Sequence, residues 1–153
     1  ADDLGVTRDR INVSGHSAGG HLTGMVMATD WPALGDDLPR DVVKSGIPIS
    51  GLFRLEPLRR TTINDAVGID DATARDYSPH FLKPATAAPV LVALGDGETA
   101  HFHEQTNEFV AEWKRYDAPV EAFFEPDVDH FDVVNRLADA ESDFFKATLN
   151  WLQ

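Results

Sequence analysis

The chain has 153 residues, 42% of them hydrophobic and 25% charged, which predicts one folded domain and argues against disorder. It has no cysteine, which excludes disulfide frameworks, thiolate zinc sites and cysteine nucleophiles. Asp and Glu total 26 against 13 Lys and Arg, and the net charge of −13 disfavours nucleic-acid binding, although it would also suit a surface adapted to high salt. No apolar run is long enough to cross a bilayer and no signal peptide is visible, so we predict a cytoplasmic protein without membrane contact.

Short apolar strands alternate with helical stretches along the chain, which predicts an α/β fold with a mostly parallel sheet flanked by helices. The predicted strands are Arg10–Gly15, Val42–Ser50, Pro89–Gly95 and Val120–Phe124. The uninterrupted apolar run in the third is typical of a strand that is buried on both faces. Pro48 weakens the second, because proline cannot donate a backbone hydrogen bond to a neighbouring strand.

Three longer helices are predicted, at Ser17 to about Thr29, Glu98 to about Tyr116, and about Asp139 to Trp151. Apolar side chains at helical spacing should face the sheet. In the second helix these are Phe102, Phe109, Val110 and Trp113, and in the third they are Phe144, Phe145, Thr148, Leu149 and Leu152. Residues 51–88 form a long irregular insertion with short helical signals at Leu55–Arg60 and Asp70–Tyr77, which is typical of a cap over a site.

Residues 15–19, Gly-His-Ser-Ala-Gly, match the pattern G-x-S-x-G. The match directly follows a predicted strand and precedes a predicted helix, which is the context of a nucleophile elbow that presents a serine hydroxyl. Because a helix would begin at this turn with free N–H groups, we expect the Ala18 N–H to be one donor of an oxyanion hole. The alternative is that Ser17 only caps the helix.

A serine nucleophile needs a base, and the base needs an acid that orients it. In folds with this elbow the chain order is Ser, acid, His, with the acid and the histidine in loops that follow late strands. Asp96 and Glu98 both follow the third predicted strand, and His130 follows the fourth. Chemistry alone leaves the two acids evenly matched, because either carboxylate could hold the imidazole in the required tautomer.

Five other histidines compete with His130 for the role of the base. They are His16, His21, His80, His101 and His103. The first two lie in or just after the serine turn, where we expect them to support the turn or to pack against the helix. The last two are two positions apart and fall on different faces of a helix, which argues against a shared metal ion. Of the six, only His130 has the position expected of the base.

Three segments of the sequence resemble the kynurenine formamidase (arylformamidase) branch of the α/β-hydrolases, whose nearby relatives include small carboxylesterases of the lipase/esterase type. The segments are GHSAGGHL at 15–22, GDGETAHFHEQ at 95–105 and DHFDVV at 129–134. The resemblance extends from about Leu4 to the end of the chain. It implies that 1–153 is a single partial domain, the C-terminal part of an α/β-hydrolase fold, with a small-molecule substrate and neither a metal nor an organic cofactor.

Carried onto the matching positions, the resemblance implies that Ser17 is the nucleophile and His130 the base. The family's acid stands three places after the strand-end glycine, which favours Glu98 over Asp96. The family has Asp there, or Glu in many bacterial members. The implied reaction is hydrolysis of an aryl formamide such as N-formyl-L-kynurenine, a step of tryptophan catabolism, or of a small carboxylic ester, through an acyl-Ser17 intermediate. General carboxylesterase activity is an alternative.

The family's second oxyanion element, a His-Gly-Gly-type motif upstream of the elbow, has no counterpart in this sequence. Early strands of the family's sheet would also precede the elbow, so we expect the first strand to lie at an unpaired edge. One hypothesis is that the chain is part of a longer enzyme. The other is a small domain that completes its sheet with a partner chain or with a second copy of itself. A non-catalytic module that keeps the elbow only as a structural turn is the alternative to a hydrolase.

Overall fold

The computed structural model describes residues 7–152, and the start of the resemblance near Leu4 lies outside them. Four parallel strands form one sheet in the order β1-β2-β3-β4. They are β1 (Asn12–His16), β2 (Ser45–Ile49), β3 (Val90–Gly95) and β4 (Val120–Glu125). The helices are α1 (Ala18–Ala28), α2 (Asn64–Val67), α3 (Asp71–Asp76), α4 (Ala100–Lys114), α5 (Asp132–Asn135) and α6 (Asp143–Trp151). The predicted α/β fold with a parallel sheet flanked by helices is confirmed.

Side chains of β3 alternate between two apolar layers, one on each face of the sheet. Val92 packs in the layer that contains Phe109 and Trp113 of α4 together with Met27 of α1. On the other face, its neighbour Ala93 packs in the layer of Val133 from α5 and Phe144 from α6. All six residues of β3 are buried, as the apolar run predicted. This two-sided cover holds the carboxyl ends of the strands in fixed positions.

Pro48 lies inside β2, although β2 is an internal strand paired with both β1 and β3. The N–H groups of Gly46 and Ser50, on either side of Pro48, donate to Pro89 and Ala93 on the β3 side. Because N–H groups alternate between the two neighbours of a parallel strand, Pro48 lies where one further bond to β3 would form. The sheet therefore tolerates this proline at the cost of one ladder bond.

The predicted inner face of α6 was partly wrong. Phe144 is buried, and Ala147 and Trp151 pack beside it, whereas Leu149 and Leu152 are exposed. The helix begins later than predicted because the Ser142 hydroxyl caps it by accepting from the Phe145 N–H. Positions 144, 147 and 151 lie on one face at helical spacing, whereas 149 and 152 lie about 80–140° around the helix from 144.

The insertion at 51–88 contains α2, α3 and the 3-10 turns Glu56–Arg60 and Pro79–Phe81. Leu55, Ile69 and Ala74 form a small apolar cluster of its own. The Trp113 indole N–H donates to the Pro79 carbonyl, which ties the insertion to α4. Its role as a cap stays a prediction.

Within residues 7–152, β1 has one strand neighbour, β2, so its other side is an edge of the sheet. The same part of the chain contains no helix that is both long and apolar enough to cross a membrane.

Candidate active site

Ser17 occupies a strained turn between β1 and α1. Its backbone angles are φ 58° and ψ −113°, and its N–H donates to the Ile49 carbonyl at 2.9 Å. A non-glycine residue in such a conformation costs about 1–3 kcal/mol. Gly15 makes the turn possible, because a Cβ there would lie 2.4 Å from the Gly19 carbonyl oxygen. The Ser17 side chain makes no capping hydrogen bond to α1, so the simple cap that we considered from the sequence does not describe it.

The Ser17 hydroxyl instead faces His130. Its Oγ lies 3.0 Å from His130 Nε2, and His130 Nδ1 lies 2.7 Å from Glu98 Oε2. A carboxylate only accepts, so the proton between His130 and Glu98 belongs on Nδ1. That tautomer leaves Nε2 with a lone pair that can accept the Ser17 O–H. The three side chains therefore form a continuous hydrogen-bonded relay.

Glu98 anchors this relay from inside the protein, since its side chain is 0% exposed while that of His130 is 22% exposed. Glu98 Oε1 accepts from the Gly95 N–H at 3.0 Å and from the Ser50 hydroxyl at 2.5 Å. A buried carboxylate is tolerated when such donors replace its lost hydration.

Asp96, the other candidate acid, lies away from the relay. Its residue is exposed, its N–H donates to the Glu125 carbonyl, and its carbonyl accepts from His103 Nε2 at 3.1 Å. The structure therefore brings Glu98, and not Asp96, to His130.

The loop that carries His130 is held close to the end of β3. The Gly97 N–H donates to the Val128 carbonyl, and a Cβ on Gly95 would lie 2.5 Å from that same oxygen. Asp129 Oδ1 accepts from the Phe131 and Asp132 N–H groups at 2.8 and 2.9 Å. These bonds to the Asp132 and Phe131 amides hold the pKa of the Asp129 carboxyl below its usual value.

Two aromatic rings flank the imidazole of His130. The His16 and Phe102 ring centroids lie 4.6 and 4.7 Å from that of His130. His16 also donates through Nε2 to the His130 carbonyl at 2.6 Å, so it supports the histidine loop as well as the turn that contains it. Phe102 was predicted to face the sheet, and it packs on His130 because it lies in the first turn of α4, beyond the strand ends.

The remaining candidates lie around this centre. Ala18 is the first residue of α1, where its N–H has no acceptor within the helix, and its role in an oxyanion hole stays a prediction. His21 Nε2 donates to the Tyr77 carbonyl at 2.7 Å, which links α1 to the insertion. In residues 7–152 no group of three or more His, Asp or Glu side chains is arranged to hold a metal ion.

Ser50 was missed in the sequence analysis. A usable signal was present, since it is the last residue of a predicted strand, and the carboxyl ends of neighbouring parallel strands meet at one edge of the sheet. No motif pointed to it, however, and serine is common in loops.

The four-stranded parallel sheet, the strained serine turn between a strand and a helix, and the order Ser, Glu, His along the chain define the α/β-hydrolase fold. No family model matches the sequence. The chain is 28% identical over 130 residues to kynurenine formamidase of Danio rerio, covering 82% of this chain and 43% of that protein. It is 26% identical over 133 residues to kynurenine formamidase of Salmo salar, covering 83% and 44%.

Solved structures agree with this assignment of the fold. A candidate thioesterase from Silicibacter sp. matches with a TM-score of 0.72 and 34% identity, over 89% of this chain and 49% of that one. A thermophilic carboxylesterase cloned from a metagenomic library matches with a TM-score of 0.65 and 19% identity, over 99% and 55%. The predicted fold and the resemblance to kynurenine formamidases are thus confirmed, and the chain spans less than half the length of those two curated relatives.

Proposed function

We propose that the protein is a serine hydrolase that cleaves an aryl formamide or a small carboxylic ester through an acyl intermediate on Ser17. The observation that carries this proposal is the relay from Ser17 Oγ through His130 to the buried Glu98 carboxylate. The three side chains stand at the carboxyl ends of β1, β3 and β4, where parallel sheets place their reactive groups.

In this mechanism Ser17 Oγ attacks the substrate carbonyl while His130 Nε2 takes the hydroxyl proton. Glu98, bonded to Nδ1–H, stabilises the imidazolium that forms, and the Ala18 N–H donates to the developing oxyanion. His130 then gives its proton to the leaving amine nitrogen or alcohol oxygen. A water molecule, deprotonated by the same imidazole, attacks the acyl-serine, and breaking the Ser17 ester bond releases formate or another carboxylic acid.

The acyl chemistry and the substrate are supported by different observations. The serine relay supports acyl transfer in general. The formamide is suggested by the two relatives named kynurenine formamidase, and acyl transfer from an ester-like bond by the structure described as a thioesterase, at 34% identity. We place the aryl formamide first, because the sequence segments around all three relay residues resemble the formamidase branch.

The serine mechanism is tested with a fluorophosphonate probe, which labels an activated serine covalently. Two proteins are treated with the probe: the 153-residue chain and the product of the full open reading frame that encodes it. The Ser17→Ala variant of each is treated in parallel. We expect labelling that disappears in Ser17→Ala. If neither wild-type protein is labelled, the hydrolase proposal fails and the non-catalytic module is favoured.

The substrate is tested separately with N-formyl-L-kynurenine and with short p-nitrophenyl esters, using unlabelled protein, in the form that reacts with the probe, at the same concentration in both assays. Formamide turnover that exceeds ester turnover supports the formamidase assignment. Rapid ester cleavage without any formamide turnover would refute it and leave a general carboxylesterase.

A further inference from the structure

We propose that Ser50 is a positioning residue of the active site, which sets the orientation of the Glu98 carboxylate and through it that of His130. This inference rests on the proposed function. Its basis is that the Ser50 hydroxyl donates to Glu98 Oε1 at 2.5 Å although 48 residues separate the two in the chain.

The backbone fixes Ser50 in place. The residue directly follows β2, is 0% exposed, and has a positive φ of 49°. Its N–H donates to the Ala93 carbonyl of β3 at 2.8 Å. A side chain as short as that of serine, on a backbone held in this way, has little freedom to direct its hydroxyl elsewhere. The donor is therefore preorganised.

The two oxygens of Glu98 have separate partners. Oε1 accepts from Ser50 and from the Gly95 N–H, whereas Oε2 faces His130 Nδ1. Two donors on one oxygen fix the rotation of the carboxylate, so the other oxygen stays directed at the imidazole. The Gly95 donor belongs to the backbone, which leaves Ser50 as the side-chain donor that a substitution can remove.

The end of β2 also holds the backbone of the nucleophile. The Ile49 carbonyl accepts the Ser17 N–H, and the next residue, Ser50, supports the acid. The end of β2 thus connects the elbow to Glu98 through two consecutive residues.

The experiment compares Ser50→Ala with a matched control, Ser45→Ala. Ser45 lies at the other end of β2, is 2% exposed, and donates to the Asn12 side chain at 2.7 Å, so Ser45→Ala also removes the hydroxyl hydrogen bond of a buried serine. We expect Ser50→Ala to lower the fluorophosphonate labelling rate and kcat about 10- to 100-fold with little change in KM, the range for losing a hydrogen bond to a charged group. Ser45→Ala should leave these rates unchanged. Equal rates for wild type and Ser50→Ala would overturn the inference.

A double-mutant cycle tests whether Ser50 acts through Glu98. In a Glu98→Gln background, Ser50→Ala should cause no further loss of rate, because the carboxylate that it orients is absent. An undiminished additional loss would refute the positioning role. If Ser50→Ala does not fold, Ser50→Gly removes the same hydroxyl and suits the positive φ.

An NMR readout separates this inference from the proposed function. The His130 Nδ1 proton, hydrogen-bonded to Glu98, should give a downfield resonance that shifts or broadens in Ser50→Ala and stays unchanged in Ser45→Ala. That result with an unreactive Ser17 would uphold the positioning role and refute the hydrolase. If Ser17 reacts with the probe but Ser50→Ala changes neither the resonance nor the labelling rate, the hydrolase proposal is upheld and the positioning role is refuted.

Discussion

Glu98 and His130 are joined by a 2.7 Å hydrogen bond between Oε2 and Nδ1, although they are 32 residues apart in the chain. Asp96, two residues before Glu98, is exposed, and it is bonded through its backbone N–H and carbonyl groups, to Glu125 and His103. The turn after β3 therefore directs one acid inward and the other toward solvent, and the two can be separated by experiment.

Substituting Glu98 by glutamine should abolish most of the activity. The amide keeps the size of the side chain but loses the charge that stabilises the imidazolium, so kcat should fall on the order of 10⁴-fold. Steady-state kinetics on the better of the two substrate classes, together with the probe labelling rate, measure the loss.

Asp96→Asn is the matched control for that substitution, because it makes the same chemical change two residues away and leaves the Asp96 backbone bonds in place. It should retain wild-type kcat within a few fold. A large loss in Asp96→Asn with little loss in Glu98→Gln would assign the acid role to Asp96.

Two neighbouring glycines of α1 should respond in opposite ways to alanine. A Cβ on Gly20 would lie 2.6 Å from the Ile49 carbonyl oxygen, whereas a Cβ on Gly19 would meet nothing within 4 Å. Gly20→Ala should therefore lower the free energy of unfolding by about 1–3 kcal/mol, as overpacking does. Gly19→Ala should raise it by roughly 0.5–1 kcal/mol, because alanine loses less conformational entropy in a helix. Urea titrations of both variants check the pair, and equal stability would contradict the close contact of α1 with the end of β2.

Local signals in the sequence were sufficient to predict the sheet and the order of the relay. The G-x-S-x-G match placed Ser17 after the first strand, and the third and fourth predicted strands placed the acid candidates and His130 after their ends, because strand periodicity and turn chemistry act over a few residues. The choice between Asp96 and Glu98 needed the resemblance, since it depends on how the turn after β3 directs side chains.

Features that depend on contacts distant in sequence were not predicted. The position of Ser50 at a strand end was visible in the sequence, but its contact with Glu98 depends on the pairing of β2 with β3, which no local pattern encodes. The exposure of Leu149 and Leu152 depends on which of two adjacent apolar stripes of α6 packs against the sheet, and tertiary packing decides that.

Asp129 should stabilise the His130 loop in a pH-dependent way. Hydrogen bonds from Asp132 and Phe131 lower the pKa of its carboxyl in the folded state, so its contribution is fully present above the unfolded value of about 3.9. The contribution is lost as the pH falls through the lower folded-state value. Asp129→Ala should thus have a lower Tm than wild type at neutral pH, with a difference that shrinks in strong acid.

Asp129→Asn is the control for the charge, because its amide oxygen can accept the same two N–H groups. It should stay closer to wild type than Asp129→Ala does in thermal melts at neutral pH. Identical melts for wild type and Asp129→Ala would show that the two hydrogen bonds to Asp129 do not stabilise the loop.

His80 should reduce the stability of the protein in weak acid. Burial, and then the charge of Arg54, hold the pKa of His80 below its usual value, and its Nδ1 is buried without a hydrogen-bond partner in the described structure. The unfolded chain therefore binds a proton at His80 near pH 6.5 while the folded chain does not, so stability should decline as the pH falls from about 6.5 toward the folded-state value.

His80→Gln removes this titration and should show a smaller drop in Tm than wild type between about pH 7.5 and about pH 5.5. His101→Gln, at a side chain that is 82% exposed, should keep the wild-type drop. An NMR titration that places the pKa of His80 at or above its usual value, or the same drop in Tm for His80→Gln and wild type, would contradict the prediction.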